Sequence, residues 1–327
     1  MSLSLNVIRF NFIEPLHVSN PRSDYARTEE IIRSDTLSAA IMQTWALLGK
    51  EEWITGNPGF VTSSLFPFTQ SGDEMVYMFP KPVKDQLKTS LSPTQLKKFK
   101  KVRYYDQDYF EQRLSGPLEI EENDIKDEFL SKKLRTGQEG LYKSTVTPRI
   151  MRPRDPQADT RIFYMERRSF NQGAGLFCIL HSKSDEAKNR FLAGLRLSAD
   201  NGLGSDRTVG HGRFTFTEDT ISLKQPVGSD SMIGLSLYIP SSRNELIEAL
   251  DPRSRYELIR RGGWISEPFN TLRKRSIYMF SEGSLFTPCQ DSLTVKGKTV
   301  DVKPVGLKTH PAIYRSGEGI FLPIKTS

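Results

Sequence analysis

The sequence predicts an α+β fold in which a ferredoxin-like domain is followed by a second, smaller α+β domain. In the first part of the chain, strand and helix patterns occur in the order strand, helix, strands, helix, strand, which is the split βαβ arrangement. After about residue 221 strands and a short helix appear again. We therefore predict domains at residues 1–220 and 221–327, although no strict sequence repeat relates them.

The composition is that of a globular protein with a mildly basic character. Of the 327 residues, 37% are hydrophobic and 26% are charged, and the net charge is +7, which suits a polyanionic partner. Two cysteines, Cys178 and Cys289, do not form a disulfide framework and fit a reduced, cytoplasmic setting. No stretch approaches the roughly 20 apolar residues of a membrane helix, so we expect neither export nor insertion.

The first predicted elements are a strand and a helix. Apolar and polar residues alternate over 3–13, which predicts a strand. We expect a helix to begin with Ser34 as its N-cap and to end near Gly49, because apolar residues recur between them at helical spacing. Residues 56–68 are rich in Gly, Pro and Ser and predict a loop, and residues 75–79 predict a short strand.

The middle of the chain predicts an arm and a hairpin. In residues 83–135 a basic run precedes an acidic run, an alternation that is typical of exposed or inserted structure. Residues 143–161 are too rich in Pro, Arg and Asp for a packed core and predict an extended arm or loop. Residues 161–170 and 175–182 then predict the two strands of a hairpin around the turn NQGAG.

The remaining elements complete the two domains. Ser184 predicts the N-cap of a second long helix, and the glycine-rich segment, residues 201–214, leads from that helix into a strand. In the second domain we expect a strand at 232–240, a short helix at 242–250 and a closing hairpin at 310–324.

The glycine-rich segment is the strongest candidate for a binding site. Glycine lets the backbone approach a ligand, consecutive N–H groups can cradle phosphate, and arginines can pair with phosphate oxygens. The segment lacks the Walker lysine, and Arg207 stands where a dinucleotide fingerprint needs its third glycine. The alternative is a flexible connection whose glycines only make turns. The candidate residues are Gly202, Gly204, Ser205, Arg207, Thr208, Gly210, His211, Gly212 and Arg213.

Two other segments have the chemistry of RNA binding. Seven basic residues stand against three acids between residues 143 and 168, and aromatic residues interleave with them, as in proteins that bind single-stranded RNA. The alternative is a solvated hairpin face. The candidates there are Tyr142, Arg149, Arg152, Arg161, Arg167 and Arg168. After the first strand, His17, Ser19 and Arg22 could meet the glycine-rich segment if the fold is ferredoxin-like.

The sequence contains few residue patterns that could form a catalytic or metal site. The four histidines, at positions 17, 181, 211 and 310, fall in four separate segments, and no His/Cys cluster has metal-ligand spacing. No G-x-S-x-G or related nucleophile context is present. We therefore expect no catalytic residue, no metal and no cofactor.

Five segments together carry a resemblance to a known family. They are residues 33–40, 63–68, 79–82, 201–214 and 310–317. In this order and spacing they resemble the fourth subunit of the Csm complex, the type III-A CRISPR–Cas effector, within the RAMP superfamily. The glycine-rich segment, which ends in Gly-His-Gly-Arg-Phe, looks like the RAMP signature loop.

The resemblance implies two ferredoxin-like, RRM-like domains with an inserted thumb-like β-hairpin, which by position would lie at about 81–160. It implies a structural, non-enzymatic subunit of an antiviral ribonucleoprotein complex that binds the 5′ handle of the crRNA and disturbs pairing with target RNA. Its implied partners are the large polymerase-domain subunit and the neighbouring backbone RAMP subunit. It also makes Arg33 and Ser34 candidates for RNA binding.

Two enzymatic readings remain as alternatives. Some RAMP relatives cut CRISPR repeats without metal, and in such an endonuclease His17 and His211 could act as acid and base. A nucleotide-binding enzyme could use the glycine-rich segment, although the missing Walker lysine argues against it.

Overall fold

The computed structural model describes residues 2–19, 25–88, 91–134, 140–153, 159–265, 271–287, 292–307 and 311–326. Over these residues the predicted α+β class is confirmed, because α-helices pack against largely antiparallel sheets. The helices are α1 (Ser34–Leu47), α2 (Pro93–Phe99), α3 (Gln107–Ser115), α4 (Asp185–Asn201) and α5 (Arg243–Ala249). Within the described part of the chain, none of them is long and apolar enough to cross a membrane.

The strands fall into a larger N-terminal group and a smaller C-terminal group. The first group is β1 (Ser2–Phe12), β2 (Phe60–Thr62), β3 (Phe66–Ser71), β4 (Glu74–Pro80), β5 (Tyr104–Asp106), β6 (Ile125–Lys126), β7 (Phe129–Leu130), β8 (Tyr142–Met151), β9 (Arg161–Phe170), β10 (Ala174–Ser182) and β11 (Phe214–Lys224). The second group is β12 (Ser231–Gly234), β13 (Leu258–Arg261), β14 (Ile277–Phe280), β15 (Leu285–Phe286), β16 (Thr294–Gly297), β17 (Val300–Asp301), β18 (Tyr314–Arg315) and β19 (Glu318–Ile324).

The centre of the larger sheet has the strand order of a ferredoxin-like domain. Four antiparallel strands lie in the order β11-β1-β10-β3. Strand β1 pairs with β11 over its whole length, from Ser2 opposite Lys224 to Phe12 opposite Phe214. This register places the start of β11, and with it the glycine-rich segment, beside the end of β1.

Helices α1 and α4 cover one face of this sheet. Apolar side chains of both helices, among them Leu37, Ile41, Trp45, Phe191 and Leu195, are fully buried there. Helix α4 begins as predicted, because the Ser184 hydroxyl accepts the Ala187 N–H at 3.1 Å. Helix α1 also begins at Ser34, but the predicted N-cap is wrong. Arg33 occupies the cap position, and the Ser34 hydroxyl instead accepts the N–H of Leu237 at 3.0 Å.

Two predictions for the segment between α1 and the arm are wrong. The predicted loop at 56–68 contains β2 and the start of β3, whose phenylalanines Phe60 and Phe66 are buried. The described residues between 83 and 134 are not mainly exposed, because β5, β6 and β7 extend the large sheet and α3 packs against it, whereas the expectation of inserted structure stays a prediction. The rings of Phe79 and Phe110 stack there at 4.5 Å. Charge alternation misleads in this segment because its apolar residues are buried between the charged ones.

Strands β8 and β9 form a two-stranded hairpin of their own, which we call the arm. Their register runs from Tyr142 opposite Phe170 to Met151 opposite Arg161. The predicted pairing of residues 161–170 with 175–182 is wrong, because β9 pairs with β8 whereas β10 pairs with β1, β2 and β3. The predicted extended arm is present, and the limits of 81–160 for a thumb stay a prediction.

The C-terminal part contains a four-stranded sheet in the order β15-β12-β19-β16, with α5 beside it. The predicted helix at 242–250 is present, and the Ser242 hydroxyl accepts the Glu245 N–H at 3.1 Å. The predicted strand at 232–240 is shorter. The predicted closing hairpin is wrong, because β18 pairs with β17 whereas β19 pairs with β12 and β16.

The two parts share one core. A single cluster of buried apolar residues contains Phe79 and Phe177 from the first part and Ile233 and Leu322 from the second. Strand β11 continues to Lys224, so the predicted division after residue 220 would fall inside a strand. The division into 1–220 and 221–327 stays a prediction.

Candidate nucleic-acid interface

The glycine-rich segment packs against the chain that follows β1, as the sequence predicted. The Ser205 N–H donates to the carbonyl of His17 at 2.8 Å, and the Gly212 N–H donates to the carbonyl of Pro15 at 3.0 Å. The hydroxyls of Ser19 and Ser205 lie 3.0 Å apart. The fold therefore joins two of the three predicted RNA-binding segments.

The glycines of this segment serve the packing of the chain on itself. At Gly212 φ is +72°, and a Cβ there would lie 1.9 Å from the Leu203 carbonyl oxygen. At Gly210 φ is +88°, and a Cβ there would meet no atom within 4 Å. Close backbone approach thus explains Gly212, whereas Gly210 borders open space.

The backbone N–H groups of the segment are largely committed. Seven of them donate to carbonyls of the chain: Gly202, Leu203, Ser205, Val209, Gly210, His211 and Gly212. The consecutive N–H groups of Asp206, Arg207 and Thr208 are not among these seven, so the expectation that consecutive N–H groups cradle phosphate stays a prediction for this stretch.

An ion pair fixes the arm to the glycine-rich segment. The guanidinium of Arg149 in β8 lies 2.8 Å from a carboxylate oxygen of Asp206, and both side chains are about 30% exposed. Asp206 has a left-handed backbone with φ 61°. The negative charge of Asp206 is thus balanced by Arg149. Asp206 is therefore a residue whose positioning role the sequence did not indicate.

Positive charge accumulates around this ion pair. Burial lowers the pKa of Arg167, and the nearby Arg149 lowers it further. Burial and Arg167 likewise lower the pKa of His211, so this imidazole is largely neutral at pH 7. Arg207 lies near Gln43, with 3.4 Å between the guanidinium and the amide oxygen. The arrangement can therefore attract phosphate, but His211, being largely neutral, does not supply a protonated imidazole as a general acid.

The base of the arm is structural. The guanidinium of Arg168 lies 4.0 Å from the centre of the Tyr142 ring and donates to the Glu30 carbonyl at 2.8 Å. The Tyr142 hydroxyl donates to Glu128, and burial raises the pKa of Tyr142. Both side chains are thus held by the chain itself.

Other predicted RNA-binding residues are held by contacts within the chain or lie outside its described part. His17 is 1% exposed, and its Nδ1 lies 2.7 Å from the Glu166 carbonyl oxygen. Ser34 is buried beneath the C-terminal part, and Arg33 forms ion pairs with Glu29 and Glu282. Arg22 lies outside the described residues.

The candidates that remain accessible lie on the chain after β1, on the glycine-rich segment and on the arm, which contact one another, and we call them together the loop–arm surface. It consists of Ser19, Arg149, Arg152, Arg161, Arg167, Arg207, Thr208, Gly210, His211 and Arg213, all of which are exposed or half-buried.

The sequence analysis missed the apolar side of the arm. Every second residue of the hairpin contributes to one face, on which Val146, Ile150, Ile162 and Tyr164 are each more than half exposed. The two-residue spacing of these side chains was the available signal. The arginines dominate the composition of this segment and mask the alternation of its apolar residues.

Among the residues that the structure describes, no group of three or more His, Cys, Asp and Glu side chains could hold a metal ion.

Comparison with known proteins points to one family. Residues 228–324 match the family model of the CRISPR Csm4 C-terminal domain. A Csm4 protein of Mycobacterium tuberculosis is 26% identical over 258 residues, which cover 77% of this chain and 76% of the relative. A Csm4 protein of Thermococcus onnurineus is 27% identical over 272 residues, which cover 78% and 82%.

Solved structures share the fold. A Csm3–Csm4 subcomplex of a type III-A CRISPR–Cas interference complex contains a chain with a TM-score of 0.63 at 16% identity, covering 98% of this chain and 100% of that one. A Csm1–Csm4 cassette in complex with cA4 gives a TM-score of 0.58 at 18% identity, covering 99% of both chains. The chain is thus similar to Csm4 proteins in its C-terminal domain and along about three quarters of its sequence, and it shares their fold.

Proposed function

We propose that this chain is a structural RNA-binding subunit of a type III-A CRISPR effector complex in the cytoplasm. It caps the 5′ handle of the crRNA and joins the large polymerase-domain subunit to the backbone filament in antiviral defence. The partners are inferred from relatives, because the similar solved structures are a Csm1–Csm4 cassette and a Csm3–Csm4 subcomplex. The similarity to Csm4 proteins along most of the chain supports this assignment.

The observation that carries RNA binding is the loop–arm surface. The Arg149–Asp206 ion pair holds the arm against the glycine-rich segment. Arg152 and Arg161 near the tip of the arm and Arg213 of the glycine-rich segment are exposed. Arginine pairs with phosphate through two parallel hydrogen bonds, so this surface suits an RNA backbone.

The arm supplies a second chemistry. Its exposed apolar face, with Ile150, Ile162 and Tyr164, lies on the same hairpin as these arginines. Aromatic and aliphatic side chains can stack on bases that have left a duplex. We infer that the arm is the thumb that disturbs pairing between the crRNA and its target.

We further propose that the chain is not an enzyme. A general acid or base must reach the proton that it transfers. His17 is buried below the arm and bound to the Glu166 carbonyl. This position does not favour the metal-independent endonuclease, which would need His17 and His211 together at the RNA.

The first test is the recovery of the chain from its host with bound RNA and proteins. We expect guides that share one 5′ end, together with the large polymerase-domain subunit and a backbone subunit. A chain recovered without RNA would contradict the proposal.

A second test measures the loop–arm surface directly. Replacing both Arg207 and Arg213 by Ala should weaken handle binding by a few kcal/mol at most, because each charged hydrogen bond contributes roughly 1.5–3 kcal/mol. Affinity is measured by fluorescence anisotropy at physiological salt on the assembled complex. Arg253→Ala is a matched control, because Arg253 already pairs with Asp251 at 3.0 Å in the C-terminal part. Equal affinities of the double variant and the control would show that this surface does not hold the handle.

A further inference from the structure

A second basic ribbon lies in the C-terminal part. We call residues 253–265 and 271–280 the second ribbon. Its strands β13 and β14 pair from Leu258 opposite Phe280 to Arg261 opposite Ile277. The pairing continues outward at a bridge between Trp264 and Arg273, where the Lys274 N–H donates to the Gly263 carbonyl at 2.9 Å.

The second ribbon is strongly basic. Seven of its residues are Lys or Arg, namely Arg253, Arg255, Arg260, Arg261, Arg273, Lys274 and Arg275, and Glu257 is its one acid. Two of the seven have carboxylate partners, because Arg253 pairs with Asp251 and Arg261 with Asp35.

Three of the arginines, Arg260, Arg273 and Arg275, have no carboxylate at ion-pair distance in the described part of the chain, although Arg275 lies near Asp301 and helps to lower its pKa. Arg260 donates to the Ser276 hydroxyl at 3.2 Å, and Arg275 donates to the backbone carbonyl of Asp301. All three residues are exposed.

Large aromatic rings are exposed among these charges. Trp264 is 53% exposed and Tyr278 is 66% exposed. Tyr278 lies directly opposite Arg260 in the ladder, so the two side chains share one face. The guanidinium of Arg273 lies 4.5 Å from the centre of the Trp264 ring.

The opposite face of the ribbon holds the ribbon against the rest of the chain. Met279 is buried, and Arg261 donates to both carboxylate oxygens of the buried Asp35 at 2.9 and 3.1 Å. The ribbon is therefore anchored to helix α1 through its inner face. Its outer face carries the exposed rings of Trp264 and Tyr278 and the exposed arginines.

We propose that the second ribbon binds single-stranded RNA. Trp264 and Tyr278 stack on bases, while Arg260, Arg273 and Arg275 neutralise phosphates. Exposed rings between unpaired arginines are the combination that sequence-tolerant single-strand binders use. An acidic protein surface would satisfy the arginines, but it would not use two flat rings that are solvated on their open faces. This surface is separate from the loop–arm surface, and its RNA contacts do not require that the handle binds there.

The tryptophans of the chain make a direct test possible. Trp45 is fully buried and Trp53 is half-buried against it, so Trp264 is the exposed indole. The full-length chain is titrated with unlabelled single-stranded oligouridylate and oligoadenylate. Each oligonucleotide has about 12 nucleotides, a length within the range of single-strand binding sites. We expect quenching of indole fluorescence. Trp264→Phe should remove the quenching and keep most of the affinity, because phenylalanine still stacks.

Affinity is measured in parallel with a labelled oligonucleotide. The double variant Trp264→Ala/Tyr278→Ala should bind at least about tenfold more weakly, since each stacked base contributes a factor of that order or more. Arg260→Ala should lower the slope of log affinity against log salt by about 1. Arg190→Ala should leave the slope unchanged, because Arg190 lies on α4, where it pairs with Glu186. Circular dichroism checks that each variant is folded.

The outcomes separate this inference from the proposed function. Quenching that persists in Trp264→Phe, or an affinity of the double alanine variant within about twofold of the parent, would overturn the inference. Protection of Trp264 by the other protein subunits without any quenching by RNA would overturn it in favour of a protein contact. The Arg207→Ala/Arg213→Ala variant should retain the Trp264 quenching, because it changes only the loop–arm surface.

Discussion

At the scale of single residues, the most consequential side chain is a buried carboxylate. Asp35, near the start of α1, is fully buried and forms ion pairs with Arg261 and Arg315. Burial opposes its ionisation, but the two arginines outweigh burial and hold the pKa of Asp35 well below its usual range. Lys274 adds a third positive charge nearby, and burial together with Arg315 lowers its pKa to about 8.

Replacing this carboxylate should destabilise the whole chain. We expect Asp35→Asn to lower the free energy of unfolding by about 3–5 kcal/mol at pH 7, because the buried arginines lose their counter-ion. The folded pKa lies below the unfolded value of roughly 3.9, so the contribution of Asp35 is present above that pH and is lost as the pH falls further. Urea unfolding of both proteins at pH 7 and near pH 3 measures the difference.

The matched control is Glu119→Gln, which removes an exposed carboxylate that pairs with Lys88. Its unfolding midpoint should equal that of the parent chain. An Asp35→Asn protein as stable as this control would show that the buried pairs contribute nothing to folding.

At the scale of elements, the glycine-rich segment shows two different reasons why a position needs glycine: a positive φ angle and a close approach of backbone. Gly210 and Gly212 both have positive φ, but only at Gly212 would a Cβ collide with backbone. Alanine at either position carries the strain of the left-handed region, roughly 1–2 kcal/mol. We expect Gly212→Ala to lose more stability than Gly210→Ala by at least about 1 kcal/mol, because only at Gly212 must the backbone also shift. Urea unfolding of the pair measures this, and equal losses would disprove the role of close approach.

The elements also show what the sequence can and cannot predict. The alternation in β1 and the helical spacing of α1 and α4 led directly to their positions, because each buries a single periodic face. The arm was harder, since NQGAG does form a turn, with the Ala174 N–H bonded to the Asn171 carbonyl, yet the strands on either side pair elsewhere. Strand partners depend on distant segments, and no local pattern encodes them.

The candidate site was predictable to a similar degree. The arginines and glycines of the loop–arm surface stand out in composition, and their meeting follows from the ferredoxin-like order. The burial of His17 and Ser34 could not be foreseen, because it depends on the arm and on the C-terminal part packing over them. The pairing of Arg149 with Asp206 likewise joins residues 57 positions apart in the sequence.

At the scale of the whole molecule, the shared core predicts cooperative unfolding. The buried cluster that contains Phe177 and Ile233 spans both parts of the chain, and the Ser64 N–H donates to the Leu235 carbonyl at 2.9 Å. Separate unfolding of the C-terminal part would expose these residues and break the Asp35 ion pairs. We expect one calorimetric transition whose measured enthalpy equals the van't Hoff enthalpy. Two resolved transitions would mean that the parts fold independently.

Strand β11 has one further consequence. It is 11 residues long and lies at the end of the strand order of the large sheet, so one side of its backbone has no neighbouring strand in the described sheet. Such an edge can recruit strands from other molecules and start aggregation. Here the edge carries Glu218, Asp219 and Lys224 among threonines, and charges of this kind disfavour the docking of a foreign strand. The strand that positions the glycine-rich segment thus also disfavours the aggregation of newly made chains.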